Sequence, residues 1–404
     1  MIPPLFYLDR YRNEGTRTYS RHADYTEADV RYRPNTGVDH FPVPAFLVPT
    51  EELNLYLADP HPSLLDRFSE GAETLFFVHP QLLERPGDDP YLARVLSLPR
   101  APREIWASPS SSTRTLYVRD SDQPHALKLH FPFRVSRYGR RMRDEVVEQA
   151  IDVSRELEAG VGAMDPDFAF LREVLGVTFR NLRPETPRGE NWGFLVRELT
   201  PFPASGESRS LVPGFALYGR DFHDPAEEPL LYALLSDKNP KSFLLDEIML
   251  PIIRHWVTCF LEFGLLLEPH GQNVLLETGP GGSIQRIVHR DLNLGVDNRR
   301  RRDAGLPTGG TNTYNRMESG AFSSVTYDKF MGGHFFDYLA ACAGARFRNL
   351  DLADLRGACK EEFLDLFPDH ERYLPRSVQY FSERRDRFGK PTFMDTGKAP
   401  DWRP

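Results

Sequence analysis

Glu268-Pro269-His270-Gly271-Gln272-Asn273 and, after an apolar run and a Gly/Pro/Ser turn, Arg290-Asp291 gather the residue types that a magnesium nucleotide needs. Strands from Asn273 to Glu277 and from Ile284 to His289 are expected to pair as a hairpin, which brings their ends within side-chain reach. One end of that hairpin would hold an imidazole, two amides, a guanidinium and two carboxylates. Oxygens of Asn273 and Asp291 suit a hard cation that also holds phosphate oxygens, and Arg290 and His270 can neutralise phosphate charge. His289 alternates away from Arg290 along the strand, so the two should face opposite sides.

A second stretch offers the complementary chemistry. Ser110-Ser111-Ser112-Thr113-Arg114-Thr115 enters a strand, Lys128 sits on the next one, and Ser136 and Arg140 follow. Small hydroxyls and backbone donors, with Arg and Lys fixed on a sheet, are what a triphosphate requires. Taken alone, the stretch reads equally well as a Ser-rich loop beside a solvated basic strand. The two stretches together describe opposite walls around one nucleotide.

The elements that must carry these residues follow from periodicity. Leu75 to Val78 reads as a buried strand stopped by His79-Pro80, and Thr115 to Arg119 and Leu127 to Val135 read as an antiparallel pair. Helices are expected over Glu145 to Leu157, Asp165 to Leu175, Ala226 to Ser236 and Ser242 to Phe263, the last ended by Gly264 and centrally buried. Strands are expected at Val177 to Asn181, Trp192 to Leu199 and Leu211 to Tyr218. A basic, Gly-rich loop runs from Arg299 to Thr313, followed by helices over Val325 to Arg346, Leu352 to Leu366 and Arg376 to Arg387.

Composition narrows the function classes. The chain has 404 residues, with 50 Lys and Arg against 58 Asp and Glu, a net charge of -8 that disfavours coating nucleic acid. Any phosphate must therefore be gripped by a local cluster. Cys259, Cys342 and Cys359 lack paired or metal-type spacing and read as core residues of a reducing compartment. No apolar run spans a bilayer and the N-terminus lacks a signal pattern, so a cytoplasmic protein is expected. His255, alone within an apolar helix, reads as a satisfied core histidine.

The order of these motifs resembles the NRPS-independent siderophore synthetases, the aerobactin-synthetase-like ATP-dependent carboxylate ligases. The resemblance runs over roughly residues 75 to 300: Val78-His79-Pro80, Ser112-Thr113-Arg114-Thr115, Leu127-Lys128-Leu129 leading to Ser136 and Arg140, Val196-Arg197-Glu198, and Glu268 to Asn273 with Arg290-Asp291. It implies an α+β, multi-lobed, hand-like fold with mainly antiparallel sheets and a palm distantly similar to kinases. Four regions are expected: a shortened N-terminal wrapping region over 1–70, an ATP-binding lobe over 71–176, a palm over 177–320 and a helical C-terminal region over 321–404.

The resemblance also assigns roles. Arg114, Lys128, Arg140 and His270 would act in catalysis, Ser112, Thr115, Ser136, Gln272, Asn273 and Arg290 would bind ATP, and Glu268, Asn273 and Asp291 would hold Mg2+. The partners are a small carboxylic acid and an amine or alcohol, with no nucleic acid or membrane, and a homodimer is left open. The family's Gly-His-Pro-x-His-Pro stretch is lacking; His61-Pro62 is its nearest remnant and reads as a loop or helix start. The alternatives are a kinase-like phosphotransferase, opposed by Gly271 and Gln272 where an aspartate base belongs, and a degenerate nucleotide-binding partner.

Overall fold

The computed structural model describes residues 2–16, 25–135, 138–182, 192–206, 209–308, 316–385 and 391–404. Its largest sheet has seven strands in the order Phe41–Val43, Ile105–Pro109, Thr115–Val118, His125–Leu129, Gly193–Glu198, Glu173–Phe179 and Leu53–Leu57. Every neighbouring pair is antiparallel, as expected of an α+β fold. The helix Asp144–Gly160 packs across one face, burying Val147, Ala150 and Ile151 against Leu195 and Ala58. Contact is so close that a Cβ on Gly176 would lie 2.5 Å from Val147 Cγ1.

A second sheet orders Phe168–Phe170, Ile284–His289, Val274–Thr278 and Ser210–Pro213. The helix Leu250–Phe263 lies in the large core beneath it and ends, as expected, at Gly264 in the left-handed conformation. A side chain there would strike Arg301, with Cγ 2.5 Å from a Cβ. The helical segment Leu352–Leu366 is also where periodicity places it.

Several expectations fail for tertiary reasons. Residues 165–175 form no helix: Phe168–Phe170 pairs in parallel with the hairpin strand Ile284–His289, and the apolar Phe-Ala-Phe run is buried by that pairing. Tertiary burial overrides the Asp-Pro helix start. Nor do residues 376–385 of the helix expected over 376–387 form one; Gln379–Arg385 pairs with Pro391–Asp395 so that Phe381 meets Phe393 across the strands, and residues 386–387 lie outside the described residues. The C-terminal region therefore closes with a β-hairpin rather than helices alone. The strand expected from Leu127 to Val135 breaks at buried His130, whose Nδ1 accepts from the Met142 amide. Part of the basic stretch expected as a loop is the short helix Asn298–Asp303, capped by Asp297; residues 309–313 of it lie outside the described residues.

The expected boundary at 176/177 cuts through the strand Glu173–Phe179, and the first sheet continues to Glu198. Residues of the 1–70 region supply strands to that sheet as well. His61 caps the short helix Pro62–Leu65, which makes it a helix start.

Candidate active site

The expected hairpin forms. Val274–Thr278 and Ile284–His289 are antiparallel with Val274 opposite His289, so the turn before the first strand and the residues after the second emerge at one end. The His270 carbonyl accepts from the Asn273 and Val274 amides, and the Arg290 amide donates to the Asn273 carbonyl at 3.0 Å. Gly271 is required by close approach: a Cβ there would lie 2.5 Å from the Tyr218 hydroxyl oxygen, and its carbonyl accepts from the Phe215 amide. Asp291 has φ of +73°, a left-handed turn that swings its carboxylate out of the strand at a cost of about 1 kcal/mol. His289 faces the other way, as alternation requires, and stacks on Phe168 beside His255.

The opposite wall is the first sheet. Thr115 lies opposite Lys128, Lys128 opposite Leu195, and Arg197 opposite Glu173, so Thr115, Tyr117, Lys128, Arg197 and Glu173 share one face. Lys128 Nζ makes an ion pair with Asp291, across the gap between sheet and hairpin. Arg197 Nε donates to Glu173 at 3.0 Å, and its guanidinium also stands 3.7 Å from Asp291. Arg114, just before the sheet strand, donates to the Arg140 carbonyl at 3.0 Å and approaches Met142 Sδ at 3.2 Å.

Cations outweigh acids in this cluster. Burial lowers the Arg114 and Arg140 guanidinium pKa values to about 10, although Asp291 opposes the shift in both. Lys128 is lowered too, by burial first and by Arg114 and Arg197 as like charges, against the pull of Asp291. Burial alone would raise Asp291, but Lys128, Arg197 and Arg114 together hold it below the usual carboxylate range. Glu268 goes the other way: burial, reinforced by Asp291 and only partly offset by Lys128, pushes its carboxyl up to about 8. Desolvation thus works against these cations, and an arriving polyanion would relieve them.

His270 sits at 2% exposure, and burial, with His334 as a second cause, pushes its imidazole down to about 3. Its Nδ1 accepts from the Gln272 amide at 3.3 Å, which assigns the proton to Nε2. The neutral ring offers a hydrogen bond rather than the counter-charge expected from the sequence. Its edge meets Phe330, with ring centroids 5.5 Å apart.

Arg290 is placed differently from a free phosphate ligand. Its NH2 donates to Asp9 at 2.7 Å, NH1 to the Tyr117 hydroxyl at 3.0 Å and Nε to the Gln272 carbonyl at 2.7 Å. Burial works against its charge, yet Asp9 and Tyr117 more than restore it. Gln272 donates its side-chain amide to Ser111 at 2.9 Å, and Ser112 shares a hydrogen bond with Ser110 at 2.8 Å. Asn273 is buried at the hairpin end. Ser136 lies outside the described residues.

Sequence reasoning missed Asp9, Tyr117 and Glu173 and gave Arg197 no role. The available signal for Glu173 and Arg197 was a charged residue on an otherwise apolar strand. His255 is satisfied, as read: Nε2 lies 2.9 Å from Asp167 and Nδ1 3.2 Å from His289. The Asp165, Asp167 and His255 group could hold an ion geometrically, but Arg254 already stands 3.2 Å from Asp165.

Residues 66–219 match the model of the IucA / IucC family, a span that carries Arg114, Lys128, Arg140 and Arg197 and stops before the hairpin. No curated protein matches the chain. Among solved structures, the petrobactin biosynthesis protein AsbB from Bacillus anthracis aligns over 91% of this chain and 71% of its own, with TM-score 0.65 and 16% identity. Aerobactin synthetase IucA from a hypervirulent Klebsiella pneumoniae aligns over 93% and 71%, with TM-score 0.66 and 15% identity. The ATP-bound form of that synthetase aligns over 84% and 66%, with TM-score 0.65 and 16% identity. The chain has the fold of these proteins, and the resemblance read from its motifs is borne out on that level.

Proposed function

We propose that this protein is an ATP-dependent synthetase that activates a carboxylic acid as its acyl adenylate and joins it to an amine or alcohol, in siderophore-like or other specialised metabolism. One observation carries the reading: Lys128 and Arg197 meet Asp291 directly and Arg114 and Arg140 act on its charge from the same wall opposite the hairpin, so that four cations gather around the carboxylates Asp291, Glu173 and Glu268, the last of which burial pushes towards its neutral form. A triphosphate is the ligand such an excess fits. Aerobactin synthetase IucA, which shares this fold, has an ATP-bound form, and this supports the same choice.

In the first step an oxygen of the substrate carboxylate attacks the α-phosphorus of ATP, a new P–O bond forms, and the bond to the bridging oxygen of pyrophosphate breaks with its electron pair. Anion must approach anion. Lys128, Arg114 and Arg140 would stabilise the charge on the phosphoryl oxygens and the departing pyrophosphate, without reorganisation because their positions are already fixed. In the second step the amine or hydroxyl attacks the acyl carbon, gives up a proton, and AMP leaves. His270 Nε2–H would donate to a phosphate oxygen, and Thr115 and Ser112 would add neutral donors.

Glu268, Asn273 and Asp291 are hard oxygen donors at one end of the hairpin and fit Mg2+, with the Glu268 carboxyl giving up the proton that burial favours. Bound there, the ion would neutralise phosphate charge. Arg290, balanced by Asp9, shapes the pocket as much as it charges it.

No described helix is long and apolar enough to cross a membrane. A phosphotransferase finds little support, since Gln272, where a catalytic base would stand, is tied to Ser111. The test is a panel of polycarboxylic and amino acids with ATP, Mg2+ and hydroxylamine. The synthetase reading expects hydroxamate with stoichiometric pyrophosphate; ADP without hydroxamate across the panel would refute it.

A further inference from the structure

The N-terminal helix Leu5–Tyr11 runs along the seam between the two walls. Arg10 donates to the carbonyls of Pro34 and Val38, on the side of the first sheet, whereas Arg12 reaches Glu227 and the Glu228 carbonyl on the other side. Between them Asp9 is completely buried. A buried carboxylate is costly unless cations and donors satisfy it, and Asp9 is satisfied by parts of both walls.

Its Oδ1 accepts from the Ser111 hydroxyl at 3.1 Å and from Arg290 NH2 at 2.7 Å. Oδ2 accepts from the Ser111 amide at 3.3 Å and from the Tyr117 hydroxyl at 2.9 Å. Two further bonds close the circuit without Asp9: Gln272 to Ser111, and Arg290 NH1 to Tyr117. The loop at 110–112, the sheet strand and the hairpin end are thus joined through one carboxylate more than 100 residues away from any of them in the chain.

We infer that Asp9 is a positioning residue for nucleotide binding: it neutralises Arg290 and locks the Ser110–Ser112 loop to the hairpin, so that the Arg114–Lys128–Arg140 cluster faces the triphosphate in one fixed geometry. Pairing Arg290 internally has a second effect. It reserves the net positive charge for the Lys128 side of the crevice, where Asp291 retains 37% exposure. This inference rests on the ATP-dependent reading above and adds a residue to it.

The experiment measures MgATP binding by calorimetry, and KM and kcat for pyrophosphate release, in Asp9→Asn, Arg290→Gln, the double variant and Ser111→Ala. Asn preserves the size of Asp9 and removes its charge. Losing a charge-assisted bond to a buried guanidinium should weaken MgATP binding about 10- to 100-fold, with the KM for the acid unchanged. The double variant should bind MgATP about as weakly as the worse single one, because both act through one contact. Ser111→Ala should weaken MgATP binding several-fold, about 3- to 10-fold, and keeps the test decisive should Asp9→Asn not fold.

Wild-type MgATP affinity in Asp9→Asn, or in Ser111→Ala where the first variant does not fold, overturns the inference. So does an equal rise in both KM values with a lowered melting temperature, which would mark a merely structural residue. Failure of the unaltered protein to bind MgATP would instead sink the functional reading, so the two failures are told apart.

Discussion

Two buried ion clusters in this molecule obey opposite electrostatics. In the C-terminal body Arg403 grips both oxygens of Asp328, at 2.9 Å each, with Ser324 donating to the same carboxylate at 2.6 Å. One cation meets one acid, and burial wins: the Asp328 carboxyl is pushed up despite its partner. In the crevice Asp291 faces Lys128, Arg197 and Arg114, and there the cations win. A closed pair fastens the chain to itself, whereas an excess of one sign awaits a ligand.

The comparison breaks most sharply under truncation. Lys128→Ala and Arg114→Ala should each lower kcat by about 10²- to 10³-fold, as loss of a preorganised charge does, while the melting temperature stays near that of the unaltered protein. Asp328→Ala should do the reverse, costing about 3–5 kcal/mol of stability by stranding buried Arg403, with the remaining folded protein still active. Chemical denaturation and steady-state kinetics on the three variants decide it; crevice variants that unfold with full residual activity would dissolve the distinction. The Asp9–Arg290 pair lies between these cases, closed like the C-terminal one but placed in the wall of the proposed active site.

The smallest effect separates structure from chemistry by pH. Burial lowers His79 to about 3, and burial with Arg141 and Arg114 does the same to His130. Both pKa values are depressed below the unfolded value near 6.5, so below that pH the unfolded chain binds more protons. Stability from these residues is complete above about 6.5 and is lost as pH falls toward 3, at up to about 1.4 kcal/mol per pH unit for each histidine. His79→Asn keeps a capping side chain for Gln81 and should flatten the fall in urea midpoint between pH 7 and 5. An unchanged slope would show that His79 does not titrate on unfolding.

How far the sequence could be read depended on where a residue's partners lie. The hairpin was legible because two short strand-like runs flank a turn that carries Gly, Pro and Ser, and Lys128 stood out as a charge within an apolar run. Asp9 was not legible: nothing in Tyr-Leu-Asp-Arg announces that Arg290, Tyr117 and Ser111 will converge on it. Residues 165–175 misled because their Asp-Pro start is a local helix signal, and the parallel pairing that overrules it joins segments far apart in the chain. The boundary expected at 176/177 falls inside a strand for the same reason, since Glu173–Phe179 takes neighbours from 53–57 and 193–198.

Acid-dependent exchange of labelled pyrophosphate into ATP, with no nucleophile present, reads the central claim most directly. If the two walls hold ATP for attack at its α-phosphorus, exchange should occur with the right carboxylic acid, need Mg2+, and vanish in Lys128→Ala. Turnover of ATP to ADP with no exchange under any acid would contradict it.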